Sequence, residues 1–373
     1  MLLLLNCLQL YNKLQYDAEN CSEYTDAYIM LEEFYIFAAE LAHLCEQGTA
    51  VVPMNASCSL HGDGKDTKHK IGSKRMAYEV FLGGSCNPTT WRSDIAIPTL
   101  QNLGITYYNP QVSQWGPELI AQEYEAKQTA RVLLFVIDNQ TRNSAGIIEA
   151  AQLAAIRSES LVLVIYPYRQ GQAILGETVS TQEYYDLMNG LLVLQYLMER
   201  QRVPIFESVS VALHCTSKML REEINVQDCV NTEDGIKPIR ISLTQNGTDV
   251  VSMRLSLYRP SLNEYNVRIL PQELQKIKNS RLILLIVPQH SRGIAIMALA
   301  AHLIGLHAKL VLCVQILPEG SIISDEQLTE QARKDYNRGR MYLSDFATRE
   351  GVPVFQNIAD ALQHAIQLVQ NPC

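Results

Sequence analysis

The sequence predicts an α/β protein: two tandem, doubly wound parallel-sheet domains of the Rossmann/flavodoxin type behind a helical N-terminal extension. Three observations predict it. From Tyr78 onward, short continuous apolar runs alternate with helical stretches, the pattern of strands buried on both faces of a parallel sheet. The second half repeats the first at a nearly fixed separation, the mark of a duplicated unit. A length of 373 residues is more than twice the roughly 150 residues of a common domain. Hydrophobic residues at 47% and charged residues at 19% suffice for a real core.

The elements follow in order. In residues 1–55, Tyr28, Leu31, Phe34, Ala38 and Leu41 recur at helical spacing and predict an amphipathic packing helix. Residues 56–76 lose apolar content and collect Gly, Lys and His, so they read as a linker, with His61 and His69 solvated. Residues 77–214 form the first domain. Its first strand, Glu79–Leu82, runs into Gly83 and Gly84. A helix from Trp91 to Leu103 follows, with Thr89 or Thr90 as its cap and a kink at Pro98. Ile105–Tyr108 is a strand ending at Asn109, and Pro117 opens a helix to about Thr129. Val132–Ile137 and Leu161–Ile165 are strands around the helix Ala145–Ile156. Residues 215–236 read as a second linker and 237–373 as the second domain.

The repeat is explicit. Arg131–Ile137 corresponds to Arg281–Val287, Ile147–Leu153 to Ile296–His302, Leu161–Val164 to Leu310–Cys313, and Val203–Phe206 to Val352–Phe355. From Ile147 onward a constant separation of 149 serves, and it also pairs Asp186 with Asp335, Gly190 with Gly339 and Leu194 with Leu343.

Composition excludes several functions. A net charge of −8 argues against a nucleic-acid binder driven by phosphate neutralisation. Nine scattered cysteines without a C-x-x-C pair argue for reduced thiols rather than a disulfide framework or a zinc site. Met1–Leu5 lacks the flanking cation and cleavage site of a signal peptide, and no apolar run is long enough to span a bilayer. His302 and His307, five apart on a helix, do not share a face and read as core or surface residues rather than ligands. The expectation is a cytoplasmic protein with no metal, no cofactor and no membrane partner.

Duplicated domains share what the fold needs, so what one copy alone has is a candidate for function. Asp138 follows a strand of copy one, and Glu149 lies early in the next helix; Pro288 and Ala298 replace them in copy two. Carboxylates at the C-terminal ends of strands sit where doubly wound sheets bind ligands. Asp138 reads equally as a turn residue, and Glu149 equally as a solvated helix-start residue. A carboxylate held beside a cleft can also attack an oxocarbenium-like centre. Tyr166, Tyr168 and Arg169 follow the fourth strand and suit a lid.

Phe81–Gly84, Trp91 with Arg92, Asn109 with Pro110, and Ser144–Glu149, in that order, resemble the nucleoside 2-deoxyribosyltransferase-like proteins. The similarity covers residues 78–213 and weakens over 237–370. It implies cleavage of an N-glycosidic bond, with a nucleoside or nucleotide as small-molecule partner and Glu149 as nucleophile. Glu123 or Glu125 stands where the family has an acid that orients sugar or base. The glycine loop, Asn87, Trp91, Arg92 and Asn109 would line the pocket. Three positions depart from the pattern: Asn143 replaces the aspartate that protonates the base, Phe81 an aromatic hydroxyl, and Ala151 a glycine. Asn143 cannot donate a titratable proton, which leaves Asp138 to substitute. Two functions follow: a deoxyribosyl transferase or hydrolase, or a weakened tandem module acting as a signalling scaffold or nucleotide sensor. Family enzymes complete their sites from neighbouring subunits, so the two copies are expected to face each other as an intramolecular pseudo-dimer.

Overall fold

In the computed structural model, which describes residues 78–112, 119–231, 277, 280 and 282–370, five apolar segments of copy one align as a parallel sheet. They are β1 (Val80–Gly84), β2 (Tyr107–Tyr108), β3 (Val132–Ile137), β4 (Leu161–Ile165) and β7 (Ile205–Phe206), in the order β2-β1-β3-β4-β7. Val80 pairs with Val132 and Leu133 with Leu161. Parallel neighbours need crossovers. Here they are a π-helical turn (Arg92–Ala96) running into α1 (Ile97–Asn102), then α2 (Leu119–Thr129), α3 (Ser144–Ile156) and α4 (Thr181–Arg200). A small hairpin, β5 (Ala173–Ile174) with β6 (Glu177–Thr178), precedes α4, and α5 (Val209–Glu222) follows β7.

Period-two alternation places β3 between two cores. Val132, Leu134 and Val136 join Leu82, Leu100 and Leu213 on one face, while Leu133, Phe135 and Ile137 join Ile147 and Ile148 on the other. Three local expectations change. Thr89 donates its hydroxyl to the carbonyls of Ser85 and Cys86 instead of capping the helix at Trp91. Pro98 sits in the first turn of α1, where its missing N–H is not needed; the irregularity is the π-turn before it. The linker expected from 215 begins inside α5, and α6 (Val226–Asn231) continues the core through Val226 and Cys229.

Copy two repeats the second half of this plan. β8 (Ile283–Val287), β9 (Leu310–Val314) and β12 (Val354–Phe355) form a parallel sheet ordered β12-β9-β8. α7 (Ile294–Gly305), the hairpin β10 (Ile322–Ile323) with β11 (Glu326–Gln327), α8 (Glu330–Arg349) and α9 (Ile358–Gln370) complete it. The N-terminal extension, the 56–76 linker, His61, His69, Pro117 and most of 232–281 lie outside the described residues.

The helix starts correct the alignment of the copies. Left-handed residues precede both, Asn143 at φ 38° and Gly293 at φ 68°, which are 150 residues apart. β4 and β9 start 149 apart, so the one-residue difference falls late: α7 has 12 residues where α3 has 13. Counted from its cap, Glu149 corresponds to Leu299, not Ala298.

One continuous apolar core joins the copies across α3, α4, α7 and α8. The contacts across it are reciprocal. A Cβ on Gly190 would lie 2.4 Å from Ile294, and one on Gly339 would lie 2.8 Å from Ser144, so both glycines are required by helix approach. Arg142 reaches Asp335 of copy two at 3.6 Å, and Arg292 of copy two reaches Asp186 at 2.8 Å. Each arginine also grips its own hairpin, Arg142 to Glu177 and Arg292 to Glu326. Arg142 alone adds Glu183, which also accepts from Tyr336 of α8 at 2.5 Å. Contacts in which residue i meets j and j meets i obey a two-fold rule.

Candidate functional site

The glycine loop is shaped by packing first. A Cβ on Gly83 would strike the Phe135 ring at 2.3 Å, and Gly84 has φ +90° with the Val136 carbonyl 2.1 Å from where a Cβ would stand. Only glycine lets β1 approach β3 this closely. Trp91 and Arg92, expected in the pocket, hold this loop instead. The Arg92 guanidinium is fully buried and donates to the carbonyls of Leu82, Gly84 and Ser85; the Trp91 indole N–H also donates to Ser85, at 3.1 Å. Asn87 is exposed and bonds Gln111 and Val112, and Asn109 accepts from the Gln111 N–H in a turn.

Ser85 is a hub that the sequence reading passed over. Its hydroxyl accepts from the Asp138 N–H at 2.7 Å and from the Asn143 amide at 2.8 Å. Asp138 accepts from the Gln140 N–H at 2.7 Å, which is a turn residue's bond. No hydrogen bond or ion pair among the described residues joins Asp138 to Glu149 or Glu123. The lid expected at Tyr166–Arg169 is strapped down: Tyr168 is buried and donates to the Thr141 and Arg142 carbonyls. His302 is buried against the Ala151 carbonyl at 3.0 Å, and the described residues hold no group of three or more His, Cys, Asp or Glu arranged for a metal. No described helix is long and apolar enough to cross a membrane.

The carboxylates that do meet are Glu149 and Glu123, both 7% exposed. Lys127, one turn below Glu123 on α2, contacts Glu149 Oε1 and lies 3.8 Å from Glu123 Oε2. Glu125 of the same helix is exposed, which selects Glu123 between the two. The Lys127 ammonium stands 5.4 Å from the Phe81 ring and 5.8 Å from the ring of Tyr342, both within cation–π range. Phe81 in turn stacks on Tyr108 and Phe135. Tyr342, on α8 of copy two, donates its hydroxyl to Glu123 Oε2 at 3.1 Å.

Burial, and then the Glu149 charge, raise the Glu123 carboxyl to about 7, against the opposing pull of Lys127 and the Tyr342 hydroxyl. A carboxyl in that range can give and take a proton near neutrality. Burial also pushes the neighbouring Cys86 thiol up, with Arg92 and copy two's Arg338 pulling the other way. Sequence reasoning missed Lys127, Tyr342, Ser85 and Cys86. Lys127 carried a signal, its i,i+4 spacing from Glu123. So did Tyr342, whose partner 149 residues earlier is Val193. Glu273 stands 150 residues after Glu123, outside the described residues, so loss of acids in copy two is established only at Asp138 and Glu149.

Residues 77–168, about a quarter of the chain, match the family model described as Nucleoside 2-deoxyribosyltransferase like, and over that stretch the resemblance read from the sequence holds. The match spans β1 through β4 and includes Glu123, Lys127 and Glu149. No curated protein and no solved structure matches the chain.

Proposed function

We propose that this site breaks the N-glycosidic bond of a nucleoside or nucleotide, with Glu149 as nucleophile and Glu123 as the proton donor. The observation that carries the reading is the pair of buried carboxylates on one lysine, inside the segment that matches the family. Glu149 attacks C1′ through Oε2, which takes no hydrogen bond among the described residues. The C1′–N bond breaks, and its electron pair leaves with the base as Glu123 passes its proton to the base nitrogen. The ester so formed is opened when water, or the nitrogen of a second base, attacks C1′; Glu123 takes up the proton and Glu149 leaves as carboxylate. Two displacements retain configuration. Glu123 fills the acid role that Asn143 lacks, while Asp138 accepts the Gln140 N–H of its turn.

The site is composite, because Tyr342 of copy two completes it, and the tandem chain then serves as its own pseudo-dimer. Incubating the protein with 2′-deoxynucleosides or their monophosphates, with and without a second base, tests the reading by chromatography of released base. Glu149→Gln is expected to lower base release by about 10³-fold or more, and Glu123→Gln by roughly 10²–10⁴-fold. No base release by the wild type with any of these substrates contradicts it.

A second reading has its own motive: Lys127 cancels the Glu149 charge that a developing cation needs. On that reading the site binds a nucleotide without turnover, as a sensor or signalling scaffold, and ligand raises the melting temperature while no base appears.

A further inference from the structure

Copy two has replaced both members of the Lys127–Glu149 pair with apolar residues. Leu299, counted from the helix cap, stands where Glu149 does and is fully buried. Ile277 stands where Lys127 does, 150 residues on, and is buried at 5% exposure. The fold therefore accepts an apolar pair at these positions. That agrees with the general finding that a buried ion pair is replaceable by well-packed apolar residues without loss of stability. Loss of Lys127 alone would leave the Glu149 charge buried without its cation, and loss of Glu149 alone would leave Lys127 only the longer contact to Glu123.

We infer that Lys127 and Glu149 form one functional unit that copy one keeps for chemistry rather than for folding, with Lys127 as the residue that positions the nucleophile. Its ammonium holds Oε1, and Oε2, which takes no hydrogen bond among the described residues, is left to face a ligand. Lys127 is itself held from three sides, by Glu123 and by the rings of Phe81 and Tyr342. The departure Phe81 thus serves as a wall for the ammonium. This inference rests on the proposed reaction for its catalytic half and on the comparison of copies for its structural half, and the two halves separate by experiment.

The structural half is a double-mutant cycle in thermal unfolding. Lys127→Ile and Glu149→Leu should each lower Tm, whereas Lys127→Ile with Glu149→Leu should return it to the wild-type value or above. A double variant as unstable as the two losses summed overturns the inference. The catalytic half compares Lys127→Met with Lys127→Arg. Lys127→Met should lower kcat on the order of tenfold to a hundredfold with KM unchanged, and Lys127→Arg should recover most of it. The same Lys127→Met variant should move the alkaline limb of the rate profile upward, because Lys127 pulls the Glu123 carboxyl down. NMR titration of that carboxyl reads the shift without turnover. A folded Lys127→Met protein with unchanged kcat and an unmoved limb refutes the positioning role. Wild-type protein without base release, but with the apolar swap fully stable, refutes the reaction while supporting a unit retained for a bound ligand.

Discussion

The two copies share a sheet, a hairpin and a pair of long helices, yet they have diverged in opposite directions at the face where they meet. Copy one keeps charge on α3, as Glu149, where copy two has Leu299. Copy two has a cation and a phenol on α8, Arg338 and Tyr342, where copy one has Asn189 and Val193 on α4. Copy two is therefore not simply a worn version of copy one. Groups from both copies meet where the Tyr342 hydroxyl donates to Glu123. The arginine contacts, by contrast, stayed reciprocal: Arg142 and Arg292 still cross to Asp335 and Asp186. The arginine bridges between the copies remained reciprocal, whereas the Lys127–Glu149 pair stands in copy one alone.

The comparison breaks first at Leu299. Leu299→Glu places a carboxylate in a fully buried apolar position, which should cost about 3–5 kcal/mol. Adding Ile277→Lys should recover much of that loss in denaturant unfolding. Full wild-type stability of Leu299→Glu alone would mean that the copies are not equivalent at this position.

A smaller effect is read by pH. The Glu123 carboxyl is raised from 4.5 to about 7, so its contribution to stability is fully present below 4.5 and is lost as pH rises through about 7. Thermal stability measured across that window should fall with pH, and Glu123→Gln should flatten the slope. An unchanged slope in the variant would place the titrating group elsewhere.

The smallest effect tests the link between halves. Tyr342→Phe removes one hydrogen bond, worth about 1 kcal/mol, and with it a pull that lowers the Glu123 carboxyl. The alkaline limb of base release should move upward, by less than in Lys127→Met. A limb that stays in place would mean that copy two does not tune the acid.

The sheet was legible because β3 and β4 are continuous apolar runs whose bounds matched the expected residues, Val132–Ile137 and Leu161–Ile165. Glu149 was legible from its absence in copy two. What stayed hidden depended on distance in the chain. Arg92 looked like a ligand group because sequence does not show that the carbonyls of Leu82 and Ser85 turn toward it. Tyr342 stayed hidden because it meets Glu123 across 219 residues. The late one-residue difference between α3 and α7 misdirected the alignment to Ala298, since both helices are apolar enough to match in either register.

The measurement that tests the central claim most directly is the location of the sugar within a single turnover, after the base has left and before the ester is opened. Protein mixed with a 2′-deoxynucleoside, quenched in acid and digested, should carry the deoxyribosyl mass on the peptide containing Glu149, and Glu149→Gln should carry none. Base release with the sugar on another residue, or undiminished release by Glu149→Gln, contradicts the account.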